Sequence, residues 1–232
     1  SLVAGITKRQ TRELHSRDLR TLEALASEPP PFPWKPTRGA VEAYARVREQ
    51  ARVQRDGRDA GRALFELLPP QPGYGFERLP APSPGDIFFD LEGDPYVDPS
   101  GREYLFGWVT EEGEGSDSYH SLWALEPAAE RSTFEAFIDF TMTRWGQHPD
   151  LHVYHFAPYE PAAIKRLMGR YATRESEVDR MLRAGLFVDL HAIVKQSLRA
   201  SVEEYSIKKL ETLYGFTRAA DLKEAGEKLR FV

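Results

Sequence analysis

The stretch Ile87-Phe88-Phe89-Asp90-Leu91-Glu92-Gly93-Asp94-Pro95 decides how this chain folds. An apolar run passes into a carboxylate, a leucine and a second carboxylate, and then into a turn-forming Gly-Asp-Pro. In a strand, residues i and i+2 face the same way, so Asp90 and Glu92 project together while Leu91 anchors the opposite face. Two anions side by side at a strand end repel unless positive charge lies between them. Clustered carboxylate oxygens are what a hard divalent cation requires. A solvated strand end entering an acidic loop accounts for the same pair, and the rest of the chain has to separate the two.

Downstream, the pattern alternates between strands and helices. Strands are expected over 87–91, 104–110 and 118–125, joined by short Gly-rich or acidic turns, which makes an antiparallel meander. Phe134, Phe137, Ile138, Met142 and Trp145 fall at helical spacing,. His152 to Phe156 is a short apolar strand, Pro161 to Tyr171 a helix, Leu186 to Leu190 a strand and His191 to Arg199 a helix. The last helix, Ile207 to Tyr214, is stopped by Gly215,. The predicted class is α/β, a mixed sheet of a three-strand antiparallel meander plus parallel strands, flanked by helices. Glu160 opens the helix after the fourth strand and supplies a third carboxylate.

Upstream, residues 2–26 read as two short helices around a turn, with Thr7 and Thr21 at capping positions,. The proline run from Pro29 to Pro36 excludes helix and marks an extended linker. Residues 41–68 are strong helix formers carrying Arg46, Arg48, Arg52, Arg55, Arg58 and Arg62, the pattern of an exposed basic helix or a pair of them,. A Pro/Gly-rich stretch over 69–85 follows, where the main domain boundary is placed. The expected organisation is 1–26, then a linker and basic helix over 27–85, then the α/β domain over 86–232.

Composition narrows the chemistry. The 232 residues include no cysteine, so any metal must be held by oxygen or imidazole, and a reducing, cytoplasmic setting is the default. No apolar run approaches the roughly 20 residues of a membrane span, and no signal-peptide layout opens the sequence. Residues 81–160 carry 16 Asp/Glu against 3 Lys/Arg, whereas residues 1–80 carry 14 Lys/Arg against 10 Asp/Glu. Basic flanks beside an acidic centre suit a protein that grips a phosphate backbone and holds cations between. Solvated helix faces of mixed sign suit the same numbers.

The segment His155-Phe156-Ala157-Pro158-Tyr159-Glu160 resembles the second motif of DnaQ-like 3'-5' exonucleases of RNase H-like fold, in which an aromatic precedes an Asp; here Tyr159 precedes Glu160. Val188-Asp189-Leu190, Tyr205-Ser206-Ile207-Lys208-Lys209-Leu210-Glu211 and Leu213-Tyr214-Gly215-Phe216 resemble the YprB-type RNase H-like domains of RecB-like nucleases, a likeness covering roughly residues 86–225. Leu2-Val3-Ala4-Gly5-Ile6-Thr7 with Thr21-Leu22-Glu23-Ala24-Leu25-Ala26 resembles the helix-hairpin-helix-like segment that precedes such domains. The resemblance implies an internal piece of a longer repair or defence protein, with neighbouring nuclease and helicase regions.

It also implies a site. Asp90, Glu92 and Glu160 would be catalytic ligands for two divalent cations, Mg²⁺ or Mn²⁺, with Asp189 a further candidate ligand. His155, Tyr159, Lys165 and Lys208 would contact the substrate, a nucleic acid and more specifically single-stranded DNA. The superfamily's fourth ligand, an Asp in a Tyr/His-x-x-x-Asp motif, is not presented between Phe216 and Val232, because Asp221 comes too soon after the Tyr-Gly-Phe turn; the domain is therefore expected to be truncated. Two alternatives stand beside the nuclease. One is a nucleic-acid-binding or scaffold domain of the same fold without turnover. The other, a glycosidase acid–base pair, is disfavoured because such carboxylates sit on separate elements.

Overall fold

The computed structural model describes residues 3–97, 99–111 and 117–216. In chain order its elements are helices α1 (Lys8–His15), α2 (Leu22–Ser27) and α3 (Val41–Asp59), strand β1 (Phe65–Leu67), strands β2 (Ile87–Asp94), β3 (Arg102–Glu111) and β4 (Asp117–Trp123), helix α4 (Pro127–Gln147), strand β5 (Val153–His155), helices α5 (Tyr159–Tyr171) and α6 (Glu175–Arg183), strand β6 (Phe187–Asp189), helix α7 (Leu190–Ser197), strand β7 (Leu198–Ala200) and the one-turn helix α8 (Ile207–Leu210). The chain divides into two units, Pro70–Gln196 and Ser1–Pro69 with Ser197–Val232.

The first unit is built on a five-stranded sheet of order β4-β3-β2-β5-β6. β3 runs antiparallel to β2 and β4, while β5 lies parallel to β2 and β6 parallel to β5. This is the meander-plus-parallel sheet expected from the element order. β2 occupies the centre, and its alternation decides the layering. Ile87, Phe89 and Leu91 are buried, whereas Phe88, Asp90 and Glu92 are exposed on the opposite face. The buried phase packs against Phe134, Phe137 and Ile138 of α4, Ile164 and Leu167 of α5, and Val178 and Met181 of α6. Phe89 stacks on Phe137 with ring centroids 3.9 Å apart. Trp108 also belongs to this core.

A bulge interrupts the β2–β3 ladder. Glu92 lies opposite Leu105 but Gly93 lies opposite Glu103, leaving Tyr104 as an extra residue on β3. One extra residue reverses the phase of side-chain alternation. Glu103 is thereby turned to the helix-covered side, where it is buried.

In the second unit, a capping box between Thr7 and Gln10 starts α1, and the Thr21 side chain accepts from the Ala24 N–H at the start of α2. Their apolar faces join Tyr44, Val47 and Ala51 of α3 in a separate core. The basic helix expected to 68 stops at Asp59, after which Gly61 takes a positive φ of 63°,. One of its faces is buried, and its arginines are largely matched locally: Arg52 meets Glu49, Asp56 and Glu66, and Arg48 meets Glu49. The helix expected over 191–199 stops at Ser197. Residues 198–200 instead form β7, antiparallel to β1, with the Ala200 carbonyl accepting from Gln50 Nε2 at 2.8 Å. Among the described residues no helix is long and apolar enough to cross a membrane.

Candidate active site

The sheet brings the sequence-selected carboxylates to one end. β2, β5 and β6 are parallel, with Phe88 opposite Tyr154 and His155 opposite Asp189. Asp90 and Glu92 therefore follow Phe88 toward the same carboxyl end at which β5 and β6 finish, the end where open α/β sheets place their ligands. Asp90 lies opposite Gly107 and Glu92 opposite Leu105, both on the face away from α4–α6. Gly107 keeps that spot low: a Cβ there would lie 3.2 Å from the Tyr119 hydroxyl. Burial, and after it the anionic charges of Glu92, Asp94 and Glu103, push the Tyr104 hydroxyl up from its ordinary pKa.

After β5 the chain makes a constrained turn into α5. Ala157 takes φ +79°, a left-handed conformation that costs a non-glycine residue about 1 kcal/mol or more,. The surroundings hold it there. His155 Nδ1 donates to the Ala157 carbonyl at 2.6 Å, and the Ala157 N–H donates to Asp189 Oδ1 at 3.1 Å. Asp189 Oδ1 also accepts the Ala192 N–H at 3.1 Å, at the start of α7. In this conformation Asp189 fastens the turn and the helix that follows it.

Glu160, in the first turn of α5, is 3% exposed. Its Oε2 has no hydrogen-bond partner among the described residues. The nearest basic group is His155 Nδ1 at 3.4 Å, whose proton is already directed to Ala157. A buried carboxylate oxygen left without a donor is costly. Its chemistry fits a cation ligand, as does the all-oxygen set of Asp90 and Glu92. Among the described residues, however, no three His, Asp or Glu side chains are gathered closely enough to hold a metal ion.

The remaining expected contacts are placed differently from one another. His155 is buried and packs edge-on to Phe187, so it orders the turn beneath the site. The Tyr159 hydroxyl lies 3.0 and 2.9 Å from the two oxygens of Glu103 and donates to that carboxylate; burial and this bond push its pKa up to about 12. Lys165 is exposed on α5 and makes no ion pair among the described residues. Lys208 is exposed on α8, in the other unit. Asp221 lies outside the described residues.

Sequence reasoning missed Glu103 and Arg166 as partners. They pair with each other, and with Tyr159 they border a cavity of about 240 Å³ that also meets Asp94, Gly101 and Arg102. The only sequence signal was Arg166 at seven residues from Tyr159, which puts both on one face of a helix.

A family model described as the RNase H superfamily matches residues 87–227. No curated protein and no solved structure matches the chain.

Proposed function

The chain belongs to the RNase H superfamily, and on that basis we propose that its sheet unit carries the active site of a metal-dependent nuclease. The proposed reaction is hydrolysis of nucleic-acid phosphodiester bonds from a 3' end, on single-stranded DNA, within a longer RecB-like protein. Asp90, Glu92 and Glu160 would hold two divalent cations, Mg²⁺ or Mn²⁺, with Asp189 supporting them. Such cations, when bound, supply a nucleophile from water at neutral pH and neutralise charge on the leaving oxygen.

The observation that carries this reading is the buried Oε2 of Glu160, without a hydrogen-bond partner among the described residues, at the sheet end that also presents Asp90 and Glu92. The other residues serve by position. His155 and Asp189 fix the Ala157 turn, so that α5 starts where Glu160 faces inward. Asp90 and Glu92 stay on the open face, where a phosphate backbone has access.

Asp90→Asn tests it. The substitution removes one negative charge from an exposed position and should lower Mg²⁺- or Mn²⁺-dependent cleavage of a 5'-labelled single strand by about 10²-fold or more. The melting temperature should move by less than about 2 °C, as for a surface change. Unchanged cleavage by the variant would refute the assignment. The absence of a gathered three-ligand group among the described residues favours the second reading, a nucleic-acid-binding domain of the same fold without turnover. Metal-independent binding of the same strand, with no cleavage by the unsubstituted protein, would select it.

A further inference from the structure

Two buried carboxylates outside the candidate ligand set grip one side of α5. Glu103, 3% exposed on β3, accepts the Tyr159 hydroxyl and pairs with the Arg166 guanidinium. Tyr159 and Arg166 are seven residues apart, two helical turns, and so stand on one face of α5. One turn further on, Arg170 donates to Glu130 Oε2 of α4 at 2.8 Å, and the Tyr171 hydroxyl reaches the same oxygen at 2.5 Å. The two storeys are joined, because the Glu103 N–H donates to Glu130 Oε1 at 2.5 Å.

The upper storey touches both segments of the candidate site. Glu103 is the partner of Gly93 in the ladder, directly after Glu92. A Cβ on Gly93 would lie 2.3 Å from Glu103 Oε2 and 2.7 Å from the Tyr159 hydroxyl. Tyr159 in turn is bonded to Glu160 in sequence. The Asp90–Glu92 strand end and the Glu160 helix start thus meet on one buried carboxylate.

We infer that Glu103 is a positioning residue: through Tyr159 and Arg166 it docks the first turns of α5 on the β2–β3 bulge and so sets where Glu160 stands relative to Asp90 and Glu92. The inference rests on the reading of Glu160 as a cation ligand. Charge as well as shape is used, since a carboxylate accepts the hydroxyl and neutralises the guanidinium at once, whereas a neutral amide offers one acceptor oxygen and no charge. Tyr159 and Arg166 are therefore both engaged with Glu103 within the protein.

The test uses the whole chain with Glu103→Gln, Glu103→Ala and Tyr159→Phe, the last a mild change at a half-exposed ring. Amide hydrogen exchange is followed in the first turn of α5, with α6 as internal reference, and Mn²⁺ affinity is measured by electron paramagnetic resonance. Glu103→Ala should speed exchange in the first turn of α5 roughly tenfold while leaving α6 within about twofold. It should weaken Mn²⁺ about tenfold, the scale seen when a ligand's supporting partner is removed. Glu103→Gln, which still accepts the Tyr159 hydroxyl, should recover part of both losses, and Tyr159→Phe should show a smaller version of each. Equal loosening of α5 and α6, or unchanged α5 exchange in both Glu103→Ala and Tyr159→Phe, overturns the proposal. So does unchanged Mn²⁺ affinity in a protein whose binding Asp90→Asn abolishes. If the unsubstituted protein binds no Mn²⁺, the cation-site reading fails with it, and the positioning of a ligand by Glu103 is overturned too, even where α5 loosens.

Discussion

Gly93→Ala puts the link between bulge and helix under a direct load. By strand propensity alone, replacing a glycine should stabilise by about 0.5 kcal/mol or more. The structure reverses the sign. The added Cβ would stand 2.3 Å from Glu103 Oε2, and reaching ordinary contact near 3.4 Å requires about 1.1 Å of movement. A flexible carboxylate would simply swing away, but this one is buried and held by Tyr159 and Arg166. Moving it by that much takes the 2.9 Å hydroxyl bond beyond hydrogen-bond range,. A hydrogen bond to a charged group contributes about 1.5–3 kcal/mol, and residual overpacking adds about 1 kcal/mol. After the propensity gain, the net loss is about 2–3.5 kcal/mol. For a unit of this size that lowers the melting temperature by roughly 6–12 °C. Differential scanning calorimetry measures it, and the same substitution in a Tyr159→Phe background should cost about 1 kcal/mol less, because one of the displaced bonds is already gone. A Gly93→Ala protein melting within about 2 °C of the parent would refute the reasoning, since it would mean that Glu103 is not held.

Gly57→Ala and Gly169→Ala, both inside helices, should have opposite effects in chemical denaturation. At Gly57 a Cβ would be 2.4 Å from Ser201 Cβ, costing about 1–3 kcal/mol, whereas nothing lies within 4 Å at Gly169 and the gain is about 0.5–1 kcal/mol,. Two effects of the same sign would overturn this. Tyr159→Phe should also change the alkaline limb of stability. The hydroxyl pKa is raised to about 12 from about 10,, so its contribution is complete below pH 10 and is lost as pH climbs toward 12. Discounted for the 44% exposure of Tyr159, the gap between parent and variant is about 1 kcal/mol at pH 9 and should close by pH 12 in urea titrations. A gap that widens with pH would contradict the sign.

Much of the sheet was legible because its signal is local. The run from Ile87 to Glu92 alternates with a period of 2, and Phe134, Phe137, Ile138 and Met142 keep helical spacing, so strand and helix follow from burying one face of each. Thr7 and Thr21 marked two helix starts for the same reason, since each cap is satisfied within three residues,. The misread segments are those whose state depends on distant partners. Residues 198–200 carry a helix-compatible sequence, yet they pair with Phe65–Leu67 and with Gln50, about 130 to 150 positions away. Glu103 escaped because the bulge at Tyr104 reverses the phase of β3. Strict alternation from Phe106 and Trp108 puts Glu103 on the open face, and only the register with Gly93 turns it inward.

The site shows the same division between local and distant determinants, and it changes which carboxylate bears the most weight. Asp90 and Glu92 announce themselves in sequence, but in the folded chain they are exposed, where solvent screens their mutual repulsion. Glu160 drew less notice, as one acid opening a helix, where the helix dipole alone would explain it. The fold buries that carboxylate, spends the adjacent imidazole proton on the Ala157 carbonyl, and leaves Oε2 without a donor among the described residues. Desolvating an unpaired carboxylate oxygen costs at least about 1–3 kcal/mol, more when it is charged. A strained alanine and a three-residue clamp keep it in that position. An arrangement that holds an unfavourable group so firmly points to a positive partner for Glu160, and Asp90 and Glu92, at the same sheet end, are the acids that would share it.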